Sequence, residues 1–246
     1  MSQSDSSISR NGLFRFKKFS VSHGLSAMKV GTDAVLLGSW ANIGDAKNIL
    51  DIGTGTGTIA LMLAQRSNDR AEIDAVEIEK TDAEQAKENF ERSPWPNKLH
   101  IHHSSIQDFY PSRKYDVIVS NPPYFNNSQS PPDEKRYHAR HTVKLNHNDL
   151  ATAAKRLLEK DGKLSIVLPF DEGNQFIALA ESNMLYCSRR FGFRTRAGKR
   201  IERWLMEFQN HPQTTETGEI LLYKNKSGEI WDDSYVNLTK DFYLKL

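Results

Sequence analysis

The chain has a single cysteine, Cys187, in 246 residues. That excludes an internal disulfide framework and suits a reducing compartment. A long apolar run is missing too: the longest mostly apolar stretch, around Ala34 to Ile43, falls far short of the roughly 20 residues that a membrane helix needs. The polar opening, Met1 to Asn11, has no signal-peptide apolar core. Neither sign of charge dominates, with 33 Lys and Arg against 31 Asp and Glu for a net charge of +2. Any affinity for nucleic acid must therefore come from local clusters. Internal repeats, low-complexity tracts and inter-domain linkers are also missing. A cytoplasmic, soluble protein is expected, with residues 1–12 as a disordered serine-rich tail and residues 13–246 as one domain.

The most informative stretch is Asn121-Pro122-Pro123-Tyr124, which directly follows the apolar run Tyr115 to Ser120. The run reads as a buried strand, and the four residues as the loop at its carboxyl end, where open α/β sheets place their ligands. Two prolines fix φ and supply no N–H, so the backbone offers only carbonyl acceptors, held stiffly. Asn121 adds a side-chain carbonyl and Tyr124 a flat ring. A planar group bearing an NH2 suits all three.

Asn48 to Ile52 reads as an earlier strand, followed by Asp51-Ile52-Gly53-Thr54-Gly55-Thr56-Gly57 and a helix with Ile59, Leu61, Met62 and Leu63. Strand, glycine loop and helix together let a ligand approach bare backbone at a helix N-terminus. The spacing is G-x-G-x-G rather than the dinucleotide pattern, which counts against hydride transfer. Asp51 would repel a pyrophosphate but can accept from an amino group. The next strand, Ile73 to Ile78, carries Glu77 about twenty residues past the loop, where an acid can accept from ribose hydroxyls.

Further elements follow in order. Thr32 or Asp33 is placed to cap a helix through Trp40, Thr81 to Arg92 reads as an exposed helix, and Leu99 to His102 as a third strand with Asp108 in the loop after it. Phe125 to Lys144 is a long basic segment without periodicity. Asn148 or Asp149 starts another helix, Lys163 to Leu168 forms a fifth strand and Asp171 to Met184 a helix. Leu185 to Tyr223 alternates like antiparallel strands, and Trp231 to Leu246 is a terminal helix or arm.

Asp51, the three glycines, Glu77, Asp108 and the Asn121 tetrad fall in order, each at or just beyond a strand end. In this the chain resembles the class I S-adenosylmethionine-dependent methyltransferases, specifically the amino-methylating subset with an N-P-P-Y tetrad. The resemblance implies a Rossmann-like α/β fold: a mostly parallel seven-stranded sheet with one antiparallel strand and helices on both faces. It implies a cofactor half at about 29–120 and a substrate half at about 121–246. By the same likeness Gly53, Gly55 and Gly57 let backbone approach the cofactor, Glu77 holds its ribose and Asp108 contacts its adenine amino group. Asn121, Pro122 and Tyr124 would then be catalytic, holding and stacking on the acceptor amine.

The flanking stretches Lys29 to Gly38, His138 to Thr142 and Leu238 to Leu244 are similar to those of the bacterial valine-tRNA adenine-N6 methyltransferases, which modify the adenine 3′ of the anticodon. That family implies that Lys29, Gly31 and Thr32 close over the cofactor. Two alternatives stay within enzymes, methylation of a guanine N2 in ribosomal RNA or of a protein glutamine, and one outside them, a cofactor-binding RNA chaperone. A glutamine-amide enzyme would be expected to carry a helical domain ahead of the glycine loop, where some fifty residues are available.

Charge placement favours RNA. Arg189, Arg190, Arg194, Arg196, Lys199, Arg200 and Arg203 cluster with only Glu202 against them in sequence, and Arg15, Lys17, Lys18, Lys135, Arg136, Arg140 and Lys144 can join the same face. Pro123, Tyr124, Arg140, Arg194, Arg196 and Arg200 are thus the expected RNA contacts, with Phe191, Phe193 and Trp204 available to stack or to face the core. His100, His102 and His103, or His138 and His141, have no carboxylate or cysteine at ligand spacing, so no metal is expected. Cys187 has no activating motif for covalent catalysis. A monomer acting on a tRNA anticodon loop, away from any membrane, is the expectation.

Overall fold

A computed structural model describes residues 12–24, 29–123 and 145–245. Tyr124, Arg140 and the whole Phe125 to Lys144 segment lie outside the described residues, as does the tail 1–11. The elements are β1 (Leu13–Arg15), β2 (Ser20–Ser22), α1 (Thr32–Trp40), β3 (Asn48–Ile52), α2 (Thr58–Arg66), β4 (Glu72–Glu77), α3 (Lys80–Glu91), β5 (Leu99–His103), β6 (Tyr115–Ser120), α4 (His147–Leu157), β7 (Leu158–Pro169), α5 (Phe170–Ser182), β8 (Tyr186–Arg196), β9 (Arg203–Gln209), β10 (Glu216–Tyr223) and α6 (Asp233–Thr239).

β1 and β2 form a small hairpin, and the other strands make one sheet in the order β10-β8-β9-β7-β6-β3-β4-β5. Only β9 runs against the rest: it pairs antiparallel with β7 and β8, whereas β8 and β10 pair parallel. The expected mostly parallel sheet with one antiparallel strand is therefore present, with an eighth strand in place of seven. β10 was expected to run antiparallel like its neighbours. Its alternating pattern is that of any half-buried strand, and period two carries no information about strand direction.

Residue parity splits the core into two layers. Ile49, Val117, Val119, Val167 and Leu205 pack with α1, α2 and α3, while Leu50, Ile118, Ile166, Leu168 and Met206 pack with α4 and α5. Both faces of the central strands are covered, which is why those strands read as continuous apolar runs. The hairpin closes the first layer: Phe14, Phe16 and Phe19 pack among Phe242 and Tyr243 near the C-terminus.

Local chemistry accounts for several boundaries. Asn146, rather than Asn148 or Asp149, caps α4, its Oδ1 accepting from Asp149 N at 2.8 Å. Gly31 is the cap residue of α1, which begins at Thr32 without a side-chain cap. Asp33 is used differently: its carboxylate accepts from Arg203 Nε at 2.9 Å, fixing the start of α1 to the start of β9. α3, expected to be exposed, buries Ala83, Ala86 and Phe90. No helix among the described residues is long and apolar enough to cross a membrane.

Candidate active site

The chain leaves β3 at its carboxyl end and turns through Gly53 to Gly57 into α2. The three glycines have φ of 70°, 57° and 85°, a region that penalises a Cβ. They serve different ends. A Cβ at Gly53 or Gly55 would meet no atom within 4 Å, whereas one at Gly57 would strike the Phe90 ring. Gly57 thus permits close packing of the loop on α3, and Gly53 and Gly55 leave open space against bare backbone.

Two carboxylates organise that loop. Glu77 ends β4, and its Oε2 accepts from Gly55 N at 2.8 Å while Oε1 accepts from Ile78 N at 2.8 Å and Glu79 N at 2.9 Å. Burial raises its pKa, and those backbone donors oppose the rise. Asp51 is fully buried. Its Oδ2 accepts from Thr54 Oγ1 at 2.6 Å and Ala60 N at 3.1 Å, and its Oδ1 has no hydrogen-bond partner among the described residues. Burial pushes the Asp51 carboxyl up to about 7; the two hydrogen bonds pull it down and the Glu77 charge adds to the rise. An uncompensated buried oxygen is costly unless it is protonated or met by a donor.

Gly53, Glu77, Ile78, Ser105, Ile106 and Gln107 line a cleft over the carboxyl ends of β3, β4 and β5, with Leu145 at its edge. Asp108 is not among its lining residues. It is exposed, and its Oδ2 accepts from Ser105 Oγ at 2.7 Å. Ser105 and Gln107 are the side chains that the fold puts in the cleft wall. Sequence reading passed over them, although their place just after β5 was the signal.

The proline tetrad leaves the adjacent strand. Ser120 pairs with Ile52 in register, and its Oγ donates to the Ile52 carbonyl at 2.8 Å. Gly53 and Asn121 therefore leave neighbouring strands at one level, about 4.8 Å apart across the sheet. Asn121 is half-buried, Pro122 buried and Pro123 exposed.

The Lys29 to Thr32 segment leads directly into α1. Lys29, Gly31 and Thr32 are exposed ahead of α1 and lie outside the lining of the cleft. Buried Asn89 ties β2 to the glycine loop: its Oδ1 accepts from Ser22 N at 2.9 Å, and its Nδ2 donates to the carbonyls of Ser22 at 3.0 Å and Thr56 at 2.9 Å.

The arginine cluster is less naked than its sequence suggested. Arg189 pairs with Glu207 and Glu216, Arg194 with Glu219 and Arg203 with Asp33. Arg196 donates to the Lys226 carbonyl at 2.5 Å. Lys199 and Arg200, at the tip between β8 and β9, are exposed and form no salt bridge among the described residues. Phe193 is buried in the core and Phe191 packs edge-on against Trp40. The histidines also acquire partners invisible to spacing: His100 meets Glu72 and His102 meets Asp74. Among the described residues no three such groups converge as a metal site would require. Burial raises the Cys187 thiol to about 11, which leaves it a poor nucleophile at neutral pH.

A family model for the methyltransferase small domain matches residues 25–182. The chain belongs to the methyltransferases. Among its relatives, a tRNA1(Val) (adenine(37)-N6)-methyltransferase of Aeromonas salmonicida is 43% identical over 96% of this chain and 99% of its own length. One from Aliivibrio salmonicida is 41% identical over 95% of this chain and 98% of its own length. Solved structures agree on the fold. A protein from Agrobacterium tumefaciens described as a predicted O-methyltransferase superposes with a TM-score of 0.67 over 85% of this chain and 96% of its own, at 17% identity. A methyltransferase from Pyrococcus furiosus gives 0.52 over 72% and 81%, at 21% identity.

S-adenosylmethionine is the methyl donor of this fold, and the donor-site residues suit it. The methyltransferase presents open backbone at Gly53 and Gly55, and Glu77 and Asp51 are the carboxylates that would receive the ribose hydroxyls and an amino group of a bound cofactor. The adenine end would fall between Ile78 and the Ser105 to Gln107 wall.

Proposed function

We propose that this protein methylates the N6 amino group of the adenine 3′ of the anticodon, position 37, in a valine tRNA. The observation that carries the reading is the shared level of Gly53 and Asn121 on adjacent strands, locked by the Ser120 to Ile52 hydrogen bond. In this reading the glycine loop holds the methyl donor and the neighbouring Asn121 loop the acceptor amine. The names of the full-length relatives support adenine 37 of tRNA1(Val) as the target.

The exocyclic nitrogen of adenine is a poor nucleophile, because its lone pair is drawn into the ring. S-adenosylmethionine supplies a strongly electrophilic methyl group, so the protein's task is geometric. Asn121 Oδ1 and the Pro122 carbonyl accept the two N–H bonds of the amine, orient its nitrogen and favour the positive charge that develops on it. Tyr124 stacks on the base once it has left its own stack. The surplus proton leaves after transfer, and no tuned general base is needed. In this reading residues 13–246 act as one cytoplasmic, monomeric domain.

The test is to incubate the protein with methyl-labelled cofactor and total RNA from cells lacking it, then digest the RNA and identify the labelled nucleoside. N6-methyladenosine from position 37 of a valine tRNA is expected. N2-methylguanosine would keep the fold and overturn the target. Asn121→Ala should bind cofactor normally and lose at least about 100-fold in kcat, the usual scale for one oriented polar contact to the reacting group. Near-normal turnover would overturn the mechanism.

A further inference from the structure

β7 outruns β6 at the substrate side of the sheet. Ser120 pairs with Ile166, and β7 continues through Pro169, paired with Arg203 of β9, before Phe170 opens α5. Phe170 thus stands one strand, about 4.8 Å, beside the tetrad and about four residues, roughly 13 Å, beyond the level of Ser120. Its backbone N–H donates to the Glu202 carbonyl at 3.2 Å, which fixes it to the base of the β8–β9 turn.

Phe170 is 37% exposed there. It is not loose. Its ring stacks on Trp204, with centroids 5.7 Å apart and planes at 26°. From the β8 side the Arg190 guanidinium sits 3.7 Å from the centre of the same indole, and its Nη2 donates to Asn174. Gly192, opposite Trp204, makes room, since a Cβ there would press on Ile201 and the indole. Arg190 and Phe170 thus both pack on Trp204, and Phe170 stays partly exposed. Phe170 is bonded to the base of the β8–β9 turn, whose tip carries the exposed Lys199 and Arg200.

A bare aromatic beside cations, braced by a second ring, is how single-stranded RNA bases are held without regard to sequence. We propose that Phe170, supported by Trp204, is the stacking platform for an unpaired RNA base next to the target adenine. The platform holds the loop open while the adenine reaches Asn121. This rests on the RNA reading above.

The test uses an anticodon stem-loop RNA carrying the target adenine, together with two versions that are abasic at either neighbour of that adenine. Methylation kinetics are measured for the parent protein and for Phe170→Ala, Phe170→Leu and Phe170→Trp. Cofactor affinity is measured separately as a check on folding. The alanine and leucine variants should raise KM for the intact hairpin about 10- to 100-fold, the scale of one lost base–aromatic stack. Their kcat should change little, and tryptophan should restore KM. One abasic hairpin should cost the parent protein a similar factor and cost Phe170→Ala almost nothing more. An unchanged KM in the leucine variant, or equal losses on intact and both abasic hairpins, would overturn the platform. Failure of the parent protein to methylate the intact hairpin, with N6-methyladenosine absent from total RNA as well, would remove the RNA reading and the platform with it.

Discussion

The backbone N–H of Gly55 donates to Glu77 Oε2 at 2.8 Å, so the glycine loop of β3 is latched to the carboxylate that ends β4. The same carboxylate collects two further N–H donors, and three backbone donors into one anion shape the rim of the donor site. Glu77→Gln should weaken cofactor binding about 10- to 100-fold, since its amide must turn a donor toward one of those N–H groups and loses the charge. Calorimetric cofactor titration checks this, and Glu77→Ala should be at least as impaired.

Asp51 should make cofactor binding depend on pH. Its carboxyl titrates at about 7 while Oδ1 has no partner among the described residues, and an amino group placed against it would favour the ionised form. Binding should then release a fraction of a proton near neutrality, and affinity should rise between roughly pH 6 and pH 8, by at most about tenfold per unit. Titrations in buffers of different ionisation enthalpy measure the released proton, and Asp51→Asn should abolish it. For stability the sign is opposite. The folded carboxyl holds its proton up to about 7 against 3.8 for the ordinary group. The native state therefore binds more protons between those values, and apoprotein stability should fall as pH rises through that window.

Asp74 should do the reverse. Burial alone would raise its carboxyl, but hydrogen bonds from His102, Tyr115 and Arg113 outweigh burial and hold it at about 2. The Tyr115 hydroxyl donates at 2.7 Å and the Arg113 Nη2 at 2.7 Å. This stabilisation is complete above the ordinary carboxyl range and is lost as pH falls from 3.8 toward about 2. Allowing for solvent at the Arg113 rim, Asp74→Asn should cost about 2 kcal/mol at neutral pH and flatten the acid limb of the stability curve. Denaturant melts at several pH values read both effects.

The basic rim should divide by partner rather than by residue type. Arg194 is held by Glu219, with 2.5 Å between Nη2 and Oε1, whereas Arg200 is exposed with no salt bridge among the described residues. Arg200→Ala should reduce the slope of log affinity against log salt for tRNA by about one. Arg194→Ala should change it less, because Glu219 already offsets that charge. Binding across a salt series decides, with cofactor affinity unchanged in both.

Much of the site is legible in the chain because it is built from strand-end motifs. Gly53, Gly55 and Gly57 admit the positive φ of a tight loop wherever the sheet lies, and Asn121 to Pro123 present acceptors by covalent structure alone. Glu77 could be found by its distance from the loop. The turn after β5 is set by tertiary structure: it puts Ser105 and Gln107 in the cleft lining and bonds exposed Asp108 to Ser105.

By itself, then, the sequence determined the alternation of strands and helices, the glycine loop after β3 and the proline loop after β6, all local properties of backbone stereochemistry and hydrophobic period. Tertiary structure decided what depends on pairing between distant residues. It gave β10 a parallel partner, gave Arg189, Arg194 and Arg203 their carboxylates and left Arg200 exposed. It also buried Asp51 with one oxygen unmet among the described residues and set Phe170 on Trp204. The reason is range: a dihedral preference acts within a few residues, whereas desolvation and ion pairing are set by whichever groups the sheet order brings within a few ångströms.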